Sequence, residues 1–273
     1  MLRFLAVALT LLSATAAQAQ TAGIPPEELT NTRRLAGNSI NACFDVTSLG
    51  RPFDEAVAKA IGDALFLEVN VVEGFGGFPL NGDGFMDELT LAMNNTCDVF
   101  MGVSVSANSP FSEAFSLTRP YATIPFVLAV SDPEWQSLGD IPKDRPLGTA
   151  MASMGEMQYI TWAQQQPEGQ SWVRYPYPDP IKMATRVLDG TIAGMILWQP
   201  ALARLQAERP ETEALRIIDS APIPGAAVSV GALVSSRNGF LRSEMDQAID
   251  ALVADGTIDA LMAEYGYEGS AGE

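Results

Sequence analysis

The sequence contains no histidine and only two cysteines, Cys43 and Cys97. Without histidine there is no Ser-His-Asp or Cys-His nucleophile, and no histidine-ligated zinc, iron or copper site. Two thiols cannot build a four-cysteine zinc or iron–sulfur centre. An enzyme made from this chain would have to work with carboxylates, tyrosine, lysine or arginine alone, and no catalytic residue is assigned. Positive charge is scarce as well. Sixteen Lys and Arg, only three of them lysines (Lys59, Lys143, Lys182), stand against 33 Asp and Glu, for a formal net charge of −17. Such a surface repels phosphate backbones and anionic headgroups, so neither nucleic acid nor a membrane surface is an expected partner. The acidic residues show no metal-loop spacing: "NGDGFMDE", with Asp83 and Asp87, lacks the Asp-x-Asp opening and distal Glu of an EF-hand. No metal and no cofactor are expected.

Long apolar runs are missing except at the start, where Phe4 to Leu12 is too short to span a bilayer. Arg3 precedes this run and Ala17-Gln18-Ala19 follows it, the pattern of a secretory signal peptide over residues 1–19, cut before Gln20. The expected location is therefore the periplasm. Residues 20–38 form a polar, proline-containing lead. The mature chain of roughly 250 residues is long enough for one large domain or two small ones.

What is present is a regular alternation. "SINACFDV" reads as a buried strand. "RPFDEAVAKAIGDAL" sets Phe53, Val57, Ile61 and Leu65 at helical spacing, with Pro52 suited to the first turn. "LEVNVV", "MDELTLAMNN" and "DVFMGV" continue as strand, helix and strand, which implies a parallel sheet covered by helices. From Ala122 the texture changes to a long apolar strand, "ATIPFVLAV". A second alternating block follows, from "PLGTAM" to "LRIID". Another long apolar strand, "AAVSVGALVSS", leads to a single predicted C-terminal helix over "FLRSEMDQAIDALVADGTIDALMAEYG". Two α/β lobes joined by two long strands make a hinged clamshell, with lobe 1 at 39–125 plus 231–273 and lobe 2 at 126–230. Ligands in such sheets lie beyond the carboxyl ends of the strands, here the cleft between lobes.

The order of "FDEAVAKAI", "CDVFMGV", "FSLTRPY" and a crossing strand resembles type II periplasmic solute-binding proteins of family 3, the polar-amino-acid type. That resemblance covers the whole mature chain and implies an α/β, two-lobed clamshell joined by two crossing strands. Amino-acid binders of the family hold the zwitterion with an arginine and an aspartate. Here "SVSANSPFSEAF" carries no arginine, and Phe111 falls near its place; Trp198, in "MILWQP", takes the place of the aspartate. A buried zwitterion without these partners is strongly disfavoured. Within the family the chain is similar to the MxaJ/XoxJ branch, which accompanies quinoprotein (PQQ-dependent) methanol and alcohol dehydrogenases. The matching features are Cys43, Cys97–Val103, Gly84, Phe85, Leu91, Leu117–Tyr121 and Trp198–Pro200. The resemblance implies a non-enzymatic periplasmic accessory whose partner is a PQQ-dependent alcohol dehydrogenase. The alternative is the receptor of an ABC permease for a small non-zwitterionic solute.

The same topology makes the first and third strands neighbours, so Cys43 and Cys97 are expected to form a disulfide in an oxidising compartment. Closing so long a loop stabilises the fold by about 4 kcal/mol in the chain-entropy description. Cleft candidates by position are Asp45, Ser104, Ser106, Arg119, Thr149, Ser153, Met154, Trp198 and Gln199. Each has a plainer role beside it. Asp45 can cap the following helix, Arg119 can pair with a surface carboxylate, and Trp198 can pack in the core. Ser153, three residues before Glu156, makes a capping box. Met151, Met154 and Met157 suggest a soft lining or simple packing. Phe75, Phe78 and Phe85, dense for a loop, are candidates for partner contact or for a lid.

Overall fold

The computed structural model describes residues 38–72, 84–106, 110–111 and 113–273. The leader over 1–19, the lead up to 37, and Phe75 and Phe78 lie outside the described residues. The first half of the chain builds β1 (Ser39–Cys43), α1 (Arg51–Ala64), β2 (Glu68–Val72), α2 (Phe85–Asn95), β3 (Val99–Ser104) and β4 (Phe115–Leu117). β1 pairs in parallel with β2 and with β3. α1 forms where the alternation predicts it, with Pro52 in its first turn and Phe53, Val57, Ala58 and Ile61 buried along one stripe.

The second block contains β5 (Ala122–Val130), β6 (Leu147–Ala150), α3 (Met154–Ala163), β7 (Arg174–Tyr177), α4 (Pro180–Leu188), β8 (Gly194–Trp198), α5 (Gln199–Glu208) and β9 (Arg216–Ile218). β6 pairs in parallel with β7 and β8. The chain returns through β10 (Ala227–Ser235), which runs antiparallel to β3 and β5, and ends in α6 (Gly239–Ala254), α7 (Thr257–Glu264) and β11 (Ser270–Ala271). The strand order is β2-β1-β3-β10-β5-β8-β6-β7, with β4, β9 and β11 paired off that path. β5 belongs to both halves. Its residues Ala122–Pro125 pair with β10, and Phe126–Val130 pair with β8.

The single C-terminal helix expected from the sequence is broken in two. Gly256, at φ +82°, takes a left-handed conformation open to glycine, and the side chain of Asp255 accepts the Thr257 N–H at 2.9 Å to start α7. The short β11, which pairs with β5, has no period of its own that a sequence reading could detect.

Each half of the sheet is covered on both faces. In the first half, Phe53, Val57, Ile61, Tyr121, Ile249 and Met262 pack under α1, α6 and α7 on one side. Phe85, Leu89, Met93, Phe100 and Leu233 pack under α2 on the other, around the Cys43–Cys97 disulfide. In the second half, α4 and α5 cover one face and α3, with Trp162 and Trp172, covers the other. Apolar side chains bridge the halves. Trp198 packs on the first-half core, and Leu49 packs on the second-half core.

Phe85 is fully buried beside the disulfide. This corrects the expectation that it meets a partner: the start of α2 turns its side chain inward, because the period of that helix puts Phe85, Leu89 and Met93 on one buried face.

Candidate functional site

A cavity of about 510 Å³ lies between the two halves. The carboxyl ends of the parallel strands open into it, as the alternation of strands and helices requires. The first half supplies Asp45, Thr47, Ser48 and Leu49 after β1, and Phe100, Gly102, Val103 and Ser104 on β3. The second half supplies Ala150, Met151 and Ser153 after β6, Tyr177, Pro178 and Pro180 after β7, and Leu197, Trp198 and Ala201 at the β8–α5 junction. Phe126, Val228 and Val230 of the crossing strands form its back.

Asp45 is the one charged side chain among these residues. Its Oδ1 accepts the Thr47 N–H and hydroxyl, both at 2.7 Å. That closes a tight turn and leaves Oδ2 without a hydrogen bond from the described residues. Trp198 donates its indole N–H to the Ile124 carbonyl at 3.3 Å, which holds the ring across the junction. Ser153 caps α3 by accepting the Glu156 N–H at 3.1 Å. The reciprocal half of the expected capping box is absent: the Glu156 carboxylate instead accepts the Ala152 N–H at 2.7 Å and the Thr149 hydroxyl at 2.8 Å, and pairs with Arg174.

The candidates from the sequence therefore divide. Asp45, Ser104, Ser153 and Trp198 line the cavity. Thr149 is fully buried and occupied by Glu156. Gln199 is buried too, with its amide donating to the Gly266 carbonyl and accepting the Glu268 N–H, so it ties α5 to the C-terminal segment. Arg119 faces the outer surface and pairs with Asp250 at 2.9 Å. Met154 and Ser106 are exposed but do not line the cavity; Met151, three residues before Met154, does. For Thr149, Gln199 and Arg119 the reason is the same: a position near a strand end says nothing of which neighbour in space captures the side chain.

Sequence reasoning missed Asp54. It lies on the buried stripe of α1 with only 3% of its surface exposed, directly behind the cavity wall. Its Oδ1 accepts the Tyr121 hydroxyl at 2.6 Å, and the same hydroxyl accepts the Gly102 N–H at 3.1 Å. Oδ2 sits where a side chain at Gly102 would be, 2.4 Å from the position of a Cβ, and Gly102 has φ +78°. Burial pushes the Asp54 carboxyl up to about 7, against the lowering effect of the Tyr121 hydrogen bond; nearby Glu55 adds to the rise. The Tyr121 hydroxyl is raised well above its ordinary value, by burial and by the Asp54 charge. One signal was available: an aspartate four residues before Ala58 and seven before Ile61 shares their core-facing stripe. The aromatic lining residues Phe126 and Tyr177 were not foreseen either, because each looks like an ordinary strand residue.

This architecture is that of the type II periplasmic binding proteins: a curled mixed sheet with helices on both faces and a cleft crossed by two strands. No protein-family model matches the chain, and no curated protein sequence matches it. Solved structures do. The second substrate-binding domain of GlnP from Lactococcus lactis, in an open conformation, aligns with a TM-score of 0.65 at 16% identity, over 85% of this chain and 97% of that one. The L-cystine solute receptor of Neisseria gonorrhoeae, unliganded and open, aligns with a TM-score of 0.61 at 21% identity, over 91% and 99%. A reconstructed ancestral cationic amino-acid solute-binding protein aligns with a TM-score of 0.61 at 16% identity, over 84% and 95%. Among the described residues no helix is long and apolar enough to cross a membrane.

Proposed function

We propose that the protein is a periplasmic solute-binding receptor that delivers a small, non-zwitterionic solute to an ABC permease. The observation that carries this reading is the cavity between the lobes, apolar in most of its lining and without a basic side chain among the described residues. The structural neighbours, amino-acid solute-binding proteins by their descriptions, support a solute-binding role. They do not transfer their ligands. An α-carboxylate would meet no arginine here, and Trp198 stands at the position of the aspartate that takes the ammonium in the family. No catalytic activity is assigned, since Asp45 has no partner acid or base on the cavity wall.

Thermal denaturation against a solute library tests the reading. Ligand at 100 times its Kd raises stability by roughly 2.7 kcal/mol, and the common L-amino acids are expected to give no shift. A saturable shift with glutamate, glutamine or arginine would restore the zwitterion and overturn this ligand class.

One feature favours a second reading, an accessory of a PQQ-dependent alcohol dehydrogenase: the cysteine pair, which resembles the MxaJ/XoxJ branch in its first-strand cysteine and its "CDVxMGV" segment. Its acidic surface would use complementary basic patches on the dehydrogenase, so co-purification should weaken as salt rises. Failure to capture a dehydrogenase at low salt, with alcohol oxidation unchanged in a deletion strain, removes that reading.

A further inference from the structure

We infer that the cleft selects an organic monocation: an ammonium group on a small apolar body, without a carboxylate. The inference rests on the receptor reading above and deepens it. Three aromatic residues from three different strands, Phe126 of β5, Tyr177 of β7 and Trp198 of β8, line one cavity together with Asp45. Ring faces attract a cation through their quadrupoles, most strongly where water is excluded, and an alkylated ammonium has the greasy surface to fill such a space.

The charges agree with the rings. Asp45 is half-buried, and its Oδ2 receives no hydrogen bond from the described residues, since both donors of Thr47 go to Oδ1. A ligand with neither a hydrogen-bond donor nor a positive charge closing over it would strip water from an acceptor and give nothing back. A second carboxyl, Asp54, stands behind Gly102 and Gly50, whose missing side chains leave its Oδ2 next to the cavity wall. Of the basic groups, Arg51 pairs with Glu55, and Arg174 with Glu156. The cavity is thus partly aromatic, carries the Asp45 carboxylate on its wall, and has no basic side chain among its lining residues. A ligand carboxylate would stand near Asp45 without a counter-charge from the lining residues.

Choline and 3,3-dimethyl-1-butanol test this directly, because they have nearly the same shape and differ in the charge. Calorimetric titration of the mature protein should show choline binding at least tenfold tighter than the uncharged alcohol. Glycine betaine, which adds a carboxylate, should bind at least tenfold more weakly than choline. Asp45→Asn keeps the oxygen that Thr47 bonds, so the turn survives; it should weaken choline about tenfold and leave the alcohol unchanged. Equal binding of choline and its isostere overturns the inference, as does betaine binding as well as choline, or an Asp45→Asn variant that keeps full choline affinity. If neither member of the pair binds while another neutral solute does, the cation inference fails and the receptor reading stands. If no solute in a broad library binds, both fail.

Discussion

Two carboxyl groups are buried beside the cleft, one in each half of the molecule, and they are held in opposite ways. Glu156, 6% exposed, meets a cation, a hydroxyl and a backbone N–H, from Arg174, Thr149 and Ala152. Asp54, 3% exposed, meets a single hydrogen-bond donor among the described residues, the Tyr121 hydroxyl. A buried carboxylate with a guanidinium and two further donors acts as a lock, and Glu156 locks the turn that carries Met151 and Ser153 into the cavity wall. A buried carboxyl with a single neutral donor is poised to take up a proton, and Asp54 is held up to about 7. The second-half wall is therefore pinned by charge, whereas the first-half floor carries a charge that depends on pH.

The largest effect expected from this contrast is a pH dependence of stability. The usual aspartate value is 3.8, and the folded protein holds Asp54 up to about 7. Between those two pH values the folded chain keeps a proton that the unfolded chain has released. The contribution is thus fully present below about pH 4, is lost as pH rises toward 7, and stays flat above that. Its size is roughly 4 kcal/mol. Denaturant titrations of the wild type and Asp54→Asn from pH 4 to 8 isolate it. The variant should gain on the wild type as pH rises, and parallel curves would show that Asp54 does not titrate in this window.

Arg174→Leu is the next largest. It strands the Glu156 charge and should cost about 3 kcal/mol, near the low end for a broken buried pair because the Arg174 side chain is 30% exposed. Adding Glu156→Gln should recover much of the loss. A double variant no more stable than the single one would mean that packing, not charge, holds the turn.

Gly102→Ala should cost about 2 kcal/mol, measured by chemical denaturation, since φ +78° disfavours a side chain and the new Cβ would press on Asp54 Oδ2. An unchanged midpoint would mean that the floor yields easily, and that the two sides of the cleft differ less than their contacts suggest.

The fold was largely legible because its signals are local. Apolar residues at helical spacing in "FDEAVAKAI" and the apolar runs of "ATIPFVLAV" and "AAVSVGALV" correspond to α1, β5 and β10. The site was legible only at the strand ends. Asp45, Ser153 and Trp198 line the cavity, whereas Gln199, one residue beyond Trp198, is turned into the C-terminal segment. One residue of advance into a helix swings a side chain by about 100°, and no reading of strand ends resolves that.

By itself the sequence determined the alternation of strands and helices and the two long apolar strands that join the halves. These are matters of period and composition, carried by neighbouring residues. The tertiary structure alone decided which acids are exposed and which are buried, and what each one meets. Asp54 and Tyr121 lie 67 positions apart and touch at 2.6 Å; Trp198 and Ile124 are 74 apart and share a hydrogen bond. The charge of a carboxyl and the reach of a ring depend on such distant contacts, which arise only when the sheet curls and its two halves close on one another.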